Sequence, residues 1–186
     1  ERQDKNFEKF VKDMILDIKK VSDGKLGLTL CLGEQTEDIY REWFEAGGHR
    51  YLLRIETTNE ELYKVIHPDN NIHSFQKRVD CLKTLKKIGY QVGTGVMIGL
   101  PGQTEEDLVN DILFFEKMDI DMIGMGPYVV HKDTPLGKDV INNDLNTEEE
   151  KYKRFVLGLK MIAITRLYLK DVNIAATTAL QGLDPL

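Results

Sequence analysis

The chain has 186 residues and a formal net charge of -6, with 31 acidic side chains against 25 basic ones. This balance argues against a protein that binds nucleic acid by neutralising phosphates, because there is no basic excess to supply the contacts. A hydrophobic content of 41% is enough for the core of one domain. Two cysteines exclude a disulfide framework and indicate a reducing compartment. No apolar stretch approaches the roughly 18 residues of a membrane span, and no signal-peptide pattern is present, so no membrane association is expected.

Hydrophobic periodicity and helix-capping residues predict alternating helices and strands. The predicted elements are, in chain order, a helix over 6–20, a strand at 26–31, a helix from Thr36 to Gly47, a strand at 50–55, helices at 59–66 and 74–88, a strand at 92–100, a helix capped by Thr104 and Asp107, a strand at 122–126, a polar loop of about twenty residues, a long helix capped by Thr147 and a strand at 173–178. This alternation implies parallel strands joined by right-handed crossovers.

Both a doubly wound sheet and a (β/α) barrel fit the alternation. The barrel is favoured, because no G-x-G-x-x-G fingerprint follows the first strand and polar or glycine-rich sequence follows strand after strand. A closed eight-stranded barrel needs about 250 residues. Five strands in 186 residues therefore predict a partial (β/α)8 TIM-type barrel, roughly strands three to seven with their helices.

In such a barrel the functional side chains lie at the carboxyl ends of the strands. The residues at these positions are Gly33 with Glu34, Arg54 with Glu56, Gly99 to Thr104, Pro127 to His131, and Thr177 with Thr178. They bring charges and hydroxyl groups to one rim of the predicted fold.

Arg54 and Glu56 form the most specific pair at this rim. Alternate residues of a strand share a face, so both side chains are expected on the same side of the sheet. A guanidinium and a carboxylate there can orient a zwitterionic or hydroxyl-bearing ligand, although a buried structural Arg–Glu pair fits the pattern equally well. The glycines at 93, 95, 99 and 102 either let a planar group approach the backbone closely or allow tight packing at a strand bend followed by a turn, and the second interpretation is favoured.

No metal site is predicted within the chain, because the four histidines do not cluster and the two cysteines are far apart. Cys31 and Cys81 are expected to be small core residues. Met122 begins a predicted strand and is expected in the core or at the wall of a cavity.

Five short motifs occur along the chain in a fixed order: YLLRIET at 51–57, GLPGQT at 99–104, GMGP at 124–127, DTPL at 133–136 and ATTA at 176–179. As an ordered set they resemble radical S-adenosylmethionine (SAM) enzymes of the biotin-synthase-like branch. Within that branch the chain is most similar to the iron-only hydrogenase maturases of the HydE group.

The resemblance implies a (β/α)8 barrel that binds SAM and a 4Fe-4S cluster. The cluster would pass an electron to the sulfonium, releasing methionine and a 5′-deoxyadenosyl radical that acts on a substrate in the barrel. It also implies a small-molecule or iron-complex substrate and an electron donor such as ferredoxin or flavodoxin, with other hydrogenase maturases as candidate partners. Neither nucleic acid nor a membrane is expected as a partner, and the expected location is cytoplasmic.

The resemblance assigns residues as well. Glu56 matches a carboxylate that contacts SAM, and Arg78 matches an arginine at its methionine carboxylate, although the spacer between them is slightly longer than in the family pattern. The turn formed by Gly99, Leu100, Pro101, Gly102 and Gln103 would approach the adenine through backbone groups. The residues that match the wall of the substrate cavity are Arg54, Met122, Thr177 and Thr178, and a small-anion site is expected near Arg54 and the two threonines.

The C-x-x-x-C-x-x-C motif that holds the cluster in this family does not occur in the sequence. Residues 1–186 are therefore expected to form a partial radical SAM barrel domain without the cluster-binding loop and the last strand. The cluster ligands are expected upstream of residue 1, and this chain alone is expected to be inactive. Two alternatives remain open: a biotin synthase or another branch member that acts on a small organic substrate, and a non-catalytic barrel that binds a nucleotide or serves as a scaffold.

Overall fold

Helices and short parallel strands alternate in the computed structural model, which describes residues 4–68 and 70–183. The helices are α1 (Lys5–Val21), α2 (Glu37–Glu45), α3 (Glu60–Ile66), α4 (Phe75–Ile88), α5 (Glu105–Lys117), α6 (Pro135–Asn142), α7 (Glu148–Leu169) and α8 (Thr178–Leu183). The strands are β1 (Thr29–Leu30), β2 (Arg50–Leu52), β3 (Gln91–Thr94), β4 (Met97–Ile98), β5 (Met122–Ile123), β6 (Gly126–Pro127) and β7 (Asn173–Ile174). The first and last three residues of the predicted domain lie outside the described residues.

The strands form a five-stranded parallel sheet in the order β1-β2-β3-β5-β7, and β4 and β6 make a second parallel pair. The order follows the chain without reversal, whereas a doubly wound sheet reverses its order at a switch point. The arrangement therefore supports the predicted barrel wall over the doubly wound alternative. Across the wall Leu52 is paired with Gly93, Gly93 with Met122, and Met122 with Asn173.

The core lies between the sheet and its helices and contains several large aromatic side chains. Tyr40, Trp43 and Tyr51 have no exposed surface, and the Tyr40 and Tyr51 rings meet edge to face with their centroids 5.0 Å apart. Each such side chain contributes about 1.5–3 kcal/mol by leaving water. Their hydroxyl groups also direct the backbone: Tyr40 and Tyr51 both donate to the carbonyl oxygen of Gly33, at 3.1 and 2.9 Å. The core thereby anchors the loop that follows β1.

Side-chain caps fix where the helices begin, as the sequence predicted. Thr36 and Thr147 accept from the third amide of α2 and α7, and Thr104 and Asp107 form a reciprocal capping box at the start of α5. Because these helices begin directly after the strand-end loops, the caps also determine where those loops end.

Two predicted strands are interrupted. The strand predicted at 92–100 is divided into β3 and β4, and the strand predicted at 122–126 is divided into β5 and β6. The breaks face each other, because a Cβ atom on Gly95 would lie 1.7 Å from the carbonyl oxygen of Gly124. Only glycine permits this close approach of the two chains, and β-sheet pairing resumes beyond it between β4 and β6.

Two further predictions were wrong at the carboxyl-terminal half of the chain. The strand predicted at 173–178 ends at Ile174, and Thr178 begins α8. The polar loop predicted after residue 126 contains α6, which Thr134 caps by accepting from the Gly137 amide at 3.0 Å. Thr134 followed by Pro135 at the first helical position is a helix-start signal that was present in the sequence.

One cysteine also differs from the prediction. Cys81 is buried on α4, as expected, but Cys31 is exposed just after β1 rather than a core residue. Among the described residues, no helix has the length and the apolar character that a membrane crossing requires.

Candidate active site

Arg54 and Glu56 form a bidentate ion pair in the loop that follows β2. The Nε of Arg54 donates to Oε1 of Glu56 at 2.9 Å, and its Nη2 donates to Oε2 at 3.0 Å and to the Val96 carbonyl at 2.9 Å. The two side chains therefore lie on the same side of the sheet, as the alternation predicted. They retain 28% and 19% of their exposure, so the pair lines a surface rather than the interior.

Glu56 has a left-handed backbone conformation, with a φ of 66°. This region is unfavourable for a residue with a side chain, and residues held there often belong to functional sites. Two backbone hydrogen bonds keep Glu56 in place: its amide donates to the Gly95 carbonyl and its carbonyl accepts from the Met97 amide, both at 2.9 Å. The conformation turns the chain out of the strand at the point where the carboxylate meets Arg54.

An open cavity of about 370 Å³ lies against this pair. Its lining residues are Arg54, Glu56, Met97, Gly126, Pro127, Val129, Thr177 and Ala179. The hydroxyl of Thr177 donates to the Met125 carbonyl at 3.1 Å, which leaves its oxygen lone pairs as acceptors. Arg54 Nη1 makes no hydrogen bond to any described residue, so the cavity combines an apolar wall with one charged donor.

Arg78 of α4 is linked to the same loop. Its Nη1 donates to the Arg54 carbonyl at 2.8 Å, and its Nε donates to Oε1 of Glu34 at 2.6 Å. The Glu34 side chain is completely buried and follows β1, at the rim position that the sequence predicted. Two guanidinium–carboxylate pairs thus stand side by side at the carboxyl end of the sheet.

Two further titratable groups near Arg78, Tyr63 and His67, are uncharged at neutral pH. The Tyr63 ring centroid lies 6.0 Å from the Arg78 guanidinium carbon, and His67 stacks on Tyr63 with centroids 3.8 Å apart. Burial, and then the charge of Arg78, lowers the pKa of His67 to about 4, and burial raises the pKa of Tyr63 to about 12. His73 Nδ1 lies 3.5 Å from the second carboxylate oxygen of Glu34.

The turn at residues 99–103 is held by its own glutamine side chain. Gln103 Oε1 accepts from the amides of Gly99 and Leu100 at 2.7 and 3.2 Å, and its Nε2 donates to the Met97 carbonyl at 3.0 Å. Gly99 and Gly102 have φ values of 77° and 80°, a conformation that favours glycine. The Gln103 amide also donates to the Leu100 carbonyl at 3.0 Å. Most of the turn's amides are therefore used by the protein itself, and the carbonyl oxygens of Gly99, Pro101 and Gly102 are the acceptors that it offers to a ligand.

The remaining predicted residues lie apart from this cavity. Met122 pairs with Gly93 one layer further into the barrel, opposite Leu52 rather than Arg54. Thr178 lines a different groove, of about 740 Å³, between α7, β7 and α8, and Thr177 borders both spaces. The structure therefore brings together Arg54, Glu56 and Thr177, joins Arg78 to them through a backbone carbonyl, and separates Met122 and Thr178.

Sequence reasoning missed Asp111, which holds the segment after Glu56. Its Oδ1 accepts from the amide and the hydroxyl of Thr58 at 2.8 and 2.7 Å, and Asp107 accepts from the Asn59 side chain at 2.8 Å. Asp111 has no exposed surface, and burial raises its pKa to about 6. An acidic residue one turn after Asp107, on the inward face of α5, was the available signal.

The described donors fit SAM but not a 4Fe-4S cluster. Arg78 retains an Nη2 that makes no hydrogen bond within residues 4–68 and 70–183, which suits a carboxylate, and Glu56 can accept from a hydroxyl or ammonium group. Over the same residues, no group of three or more His, Cys, Asp or Glu side chains can hold a metal ion. Cys31 follows β1 and Cys81 lies on α4, so these two cysteines do not supply the ligands of a cluster.

Comparison with known proteins gives consistent matches along the chain. A family model described as the Radical SAM superfamily matches residues 4–115. The [FeFe] hydrogenase maturase subunit HydE of Thermotoga maritima is 46% identical over 175 residues, which is 94% of this chain and 45% of that protein. A biotin synthase of Carboxydothermus hydrogenoformans is 27% identical over 167 residues, 90% of this chain and 46% of that protein.

Among solved structures, methylornithine synthase (PylB) superposes with a TM-score of 0.75 at 23% identity, covering 94% of this chain and 48% of that one. The hydrogenase maturase HydG gives a TM-score of 0.63 at 16% identity, covering 92% of this chain and 40% of that one. These likenesses confirm the α/β fold as part of a barrel. The chain spans about half the length of the curated relatives it matches.

Proposed function

Because the chain belongs to the radical SAM superfamily, whose members are enzymes, we propose that it forms the central part of the barrel of a radical SAM enzyme that takes part in the maturation of [FeFe] hydrogenase. The family match and the 46% identity to HydE confirm the resemblance predicted from the ordered motifs. The observation that carries the proposal is the arrangement of two adjoining guanidinium–carboxylate pairs at the carboxyl end of the sheet.

The charge balance of these pairs favours SAM over a nucleotide polyphosphate. Arg54 is neutralised by Glu56 and Arg78 by Glu34, so the local net charge is zero. A polyphosphate requires an excess of cations, whereas SAM brings a carboxylate together with an ammonium and a sulfonium group. The arrangement therefore supports the enzyme over the nucleotide-binding scaffold.

Each residue has a role in this proposal. Arg78 binds the ligand carboxylate through Nη2, and Glu56 accepts a hydrogen bond from a hydroxyl or ammonium group. The turn of Gly99, Leu100, Pro101, Gly102 and Gln103 meets the adenine through its carbonyl oxygens. The substrate is held by Arg54 and Thr177 in the 370 Å³ cavity, whereas Met122 and Thr178 lie outside its lining.

When SAM is bound beside a reduced cluster, it supplies a 5′-deoxyadenosyl radical, and this chain orients the ligand and keeps the cavity wall apolar. We assign the cluster ligands to the part of the relatives' length that this chain does not cover. The proposed substrate is a small molecule or an iron complex, and the proposed electron donor is ferredoxin or flavodoxin. Other maturases are proposed partners, and the proposed location is cytoplasmic because the cofactor is oxygen-sensitive.

Complementation of a strain that lacks its HydE function tests this proposal with the whole protein to which the domain belongs. We expect the wild type to restore hydrogenase activity, and Glu56→Gln to lower the restored activity about tenfold or more, because one charge-assisted contact is lost. Glu61→Gln is the matched control, since Glu61 is 84% exposed on α3. It should restore activity fully.

Two results would contradict the proposal. Rescue of biotin auxotrophy without rescue of hydrogenase activity would assign the protein to the biotin-synthase alternative. Failure of the anaerobically reconstituted whole protein to convert SAM to 5′-deoxyadenosine would support the non-catalytic scaffold.

A further inference from the structure

Resting on the proposed function, we infer that Glu34 is a positioning residue that orients Arg78 toward the carboxylate of SAM. It touches neither the ligand nor the reacting atoms, and it acts through the Arg78 guanidinium. Three features of the structure carry this inference: the division of the Arg78 donors, the rigidity of the loop that holds Glu34, and the cost of burying its carboxylate.

The donors of Arg78 are divided between protein and ligand. Nε is bound to Glu34 at 2.6 Å and Nη1 to the Arg54 carbonyl at 2.8 Å. Because a guanidinium is planar, contacts at two different nitrogens fix both its position and its plane. Nη2 is the nitrogen that makes no hydrogen bond in the part of the chain that the structure describes, so it is the one presented to a carboxylate.

The loop that carries Glu34 is rigid on both sides. The carbonyl of Gly33 accepts from Tyr40 and Tyr51, and the amide of Gln35 donates to the Tyr40 oxygen at 3.0 Å. The Gln35 carbonyl accepts from Cys81 Sγ at 3.7 Å, which connects the loop to the same helix that carries Arg78. Glu34 therefore approaches Arg78 from a fixed backbone, and little side-chain entropy is lost when the ligand binds.

Stability alone does not account for this carboxylate. The Oε2 of Glu34 is buried and makes no hydrogen bond within the described residues, and His73 Nδ1 lies 3.5 Å away. A buried ion pair with unsatisfied lone pairs is often no more stable than an apolar replacement. We therefore assign to the buried Glu34–Arg78 pair the role of orienting the Arg78 guanidinium.

The test compares two ligands that differ in one group. SAM and decarboxylated SAM are measured by anaerobic equilibrium dialysis against the reconstituted whole protein, as the wild type and as Glu34→Ala. If Glu34 acts through Arg78 on the carboxylate, the alanine variant should bind SAM about tenfold more weakly or worse, and bind decarboxylated SAM within about twofold of wild type. Glu45→Ala, an exposed glutamate on α2, is the matched control and should change neither affinity.

Glu34→Gln keeps the variant series informative if removal of the carboxylate impairs folding. Glutamine retains an acceptor for Arg78 Nε, so SAM affinity should fall by only about two- to fivefold while decarboxylated SAM is unaffected. Equal losses for both ligands, or no loss of SAM affinity in either folded variant, would overturn the inference. Absence of SAM binding by the wild type would instead contradict the proposed function, so the two failures are distinguishable.

Discussion

Glu56 keeps a backbone conformation that costs about 1–3 kcal/mol for a residue with a side chain. Two residues further along, Thr58 donates two hydrogen bonds to the buried Asp111 and fixes the segment that follows Glu56. Asp111 thus holds the segment next to a strained residue of the candidate site, from a helix outside that site. Its own burial makes this contact dependent on pH.

Replacement of Asp111 by asparagine should change how stability depends on pH. Burial raises the pKa of Asp111 to about 6, above the value of roughly 4 expected in the unfolded chain. Between about pH 4 and pH 6 the Asp111 carboxyl is protonated in the folded state and ionised in the unfolded state. As the pH rises through this range, the carboxyl therefore lowers the free energy of unfolding, by roughly 3 kcal/mol in total. Asp111→Asn lacks this contribution and should gain stability relative to wild type from pH 4 to pH 7.

Urea unfolding at pH 4, 5, 6 and 7 measures the difference between the two proteins. Other carboxyl groups titrate in both proteins and cancel in the difference. Parallel curves for wild type and variant would show that the Asp111 pKa is not raised in the folded state.

At the scale of elements, helix α5 connects the turn at 99–103 to the segment that follows Glu56. Its capping box begins directly after the turn at 99–103, and its inward face holds the segment after Glu56 through Asp107 and Asp111. The position of the turn therefore depends on how firmly the first turn of α5 is fixed.

Thr104→Ala should lower the free energy of unfolding by about 1–2 kcal/mol, because the side chain accepts from the Asp107 amide at 3.1 Å and donates to its carboxylate at 2.9 Å. Thr36→Ala is the comparison, since that cap has one bond of 3.4 Å to the Ile39 amide. We expect a smaller loss there, measured by chemical unfolding of both variants. A larger loss for Thr36→Ala would contradict the importance assigned to the capping box.

Six of the eight helices of the described residues, all except α6 and α8, could be predicted because their signals are local. Periodic apolar residues and caps such as Thr36 and Thr104 lie within one turn of the helix that they begin. The strand interruptions could not be predicted, because they depend on a contact between Gly95 and Gly124 of different strands. The same holds for the left-handed conformation of Glu56, which bonds to Gly95 and Met97 stabilise.

The candidate site shows the same limit. The alternation of Arg54 and Glu56 predicted their common side, because the two residues are separated by one position just after β2. The pair of Glu34 and Arg78 joins residues 44 positions apart, and no local pattern marks it. Sequence could place Glu34 at the rim of the barrel without identifying its partner.

At the scale of the molecule, the strands of the five-stranded sheet lie side by side in the order in which they occur along the chain, so that β1 and β7 are its edge strands. Beside β7 lies the apolar groove between α7 and α8, and exposed strand edges next to apolar surface favour association. The 186-residue chain expressed alone should therefore self-associate as its concentration rises.

Leu159→Glu should reduce this association, because Leu159 lines the groove and is 46% exposed. Leu113→Glu is the matched control, at 45% exposure on α5 and outside the lining of that groove. Sedimentation equilibrium should give masses nearer the 21.4 kDa monomer for Leu159→Glu only. Equal masses for both variants would exclude the groove as the contact surface.

The glycines at the interior of the barrel differ in what a methyl group would meet. At Gly95 it would collide with the Gly124 carbonyl oxygen at 1.7 Å, and at Gly126 it would lie 2.7 Å from the Thr177 hydroxyl oxygen. At Gly124 its nearest neighbours would be Arg54 Nη1 at 3.8 Å and the Thr94 carbonyl oxygen at 4.0 Å, ordinary contact distances. One codon change to alanine at Gly124 would thus shield the Arg54 guanidinium without moving a strand. Among these three glycines, Gly124 is the position where alanine can be placed against Arg54, a residue of the proposed substrate cavity, without displacing a neighbouring atom.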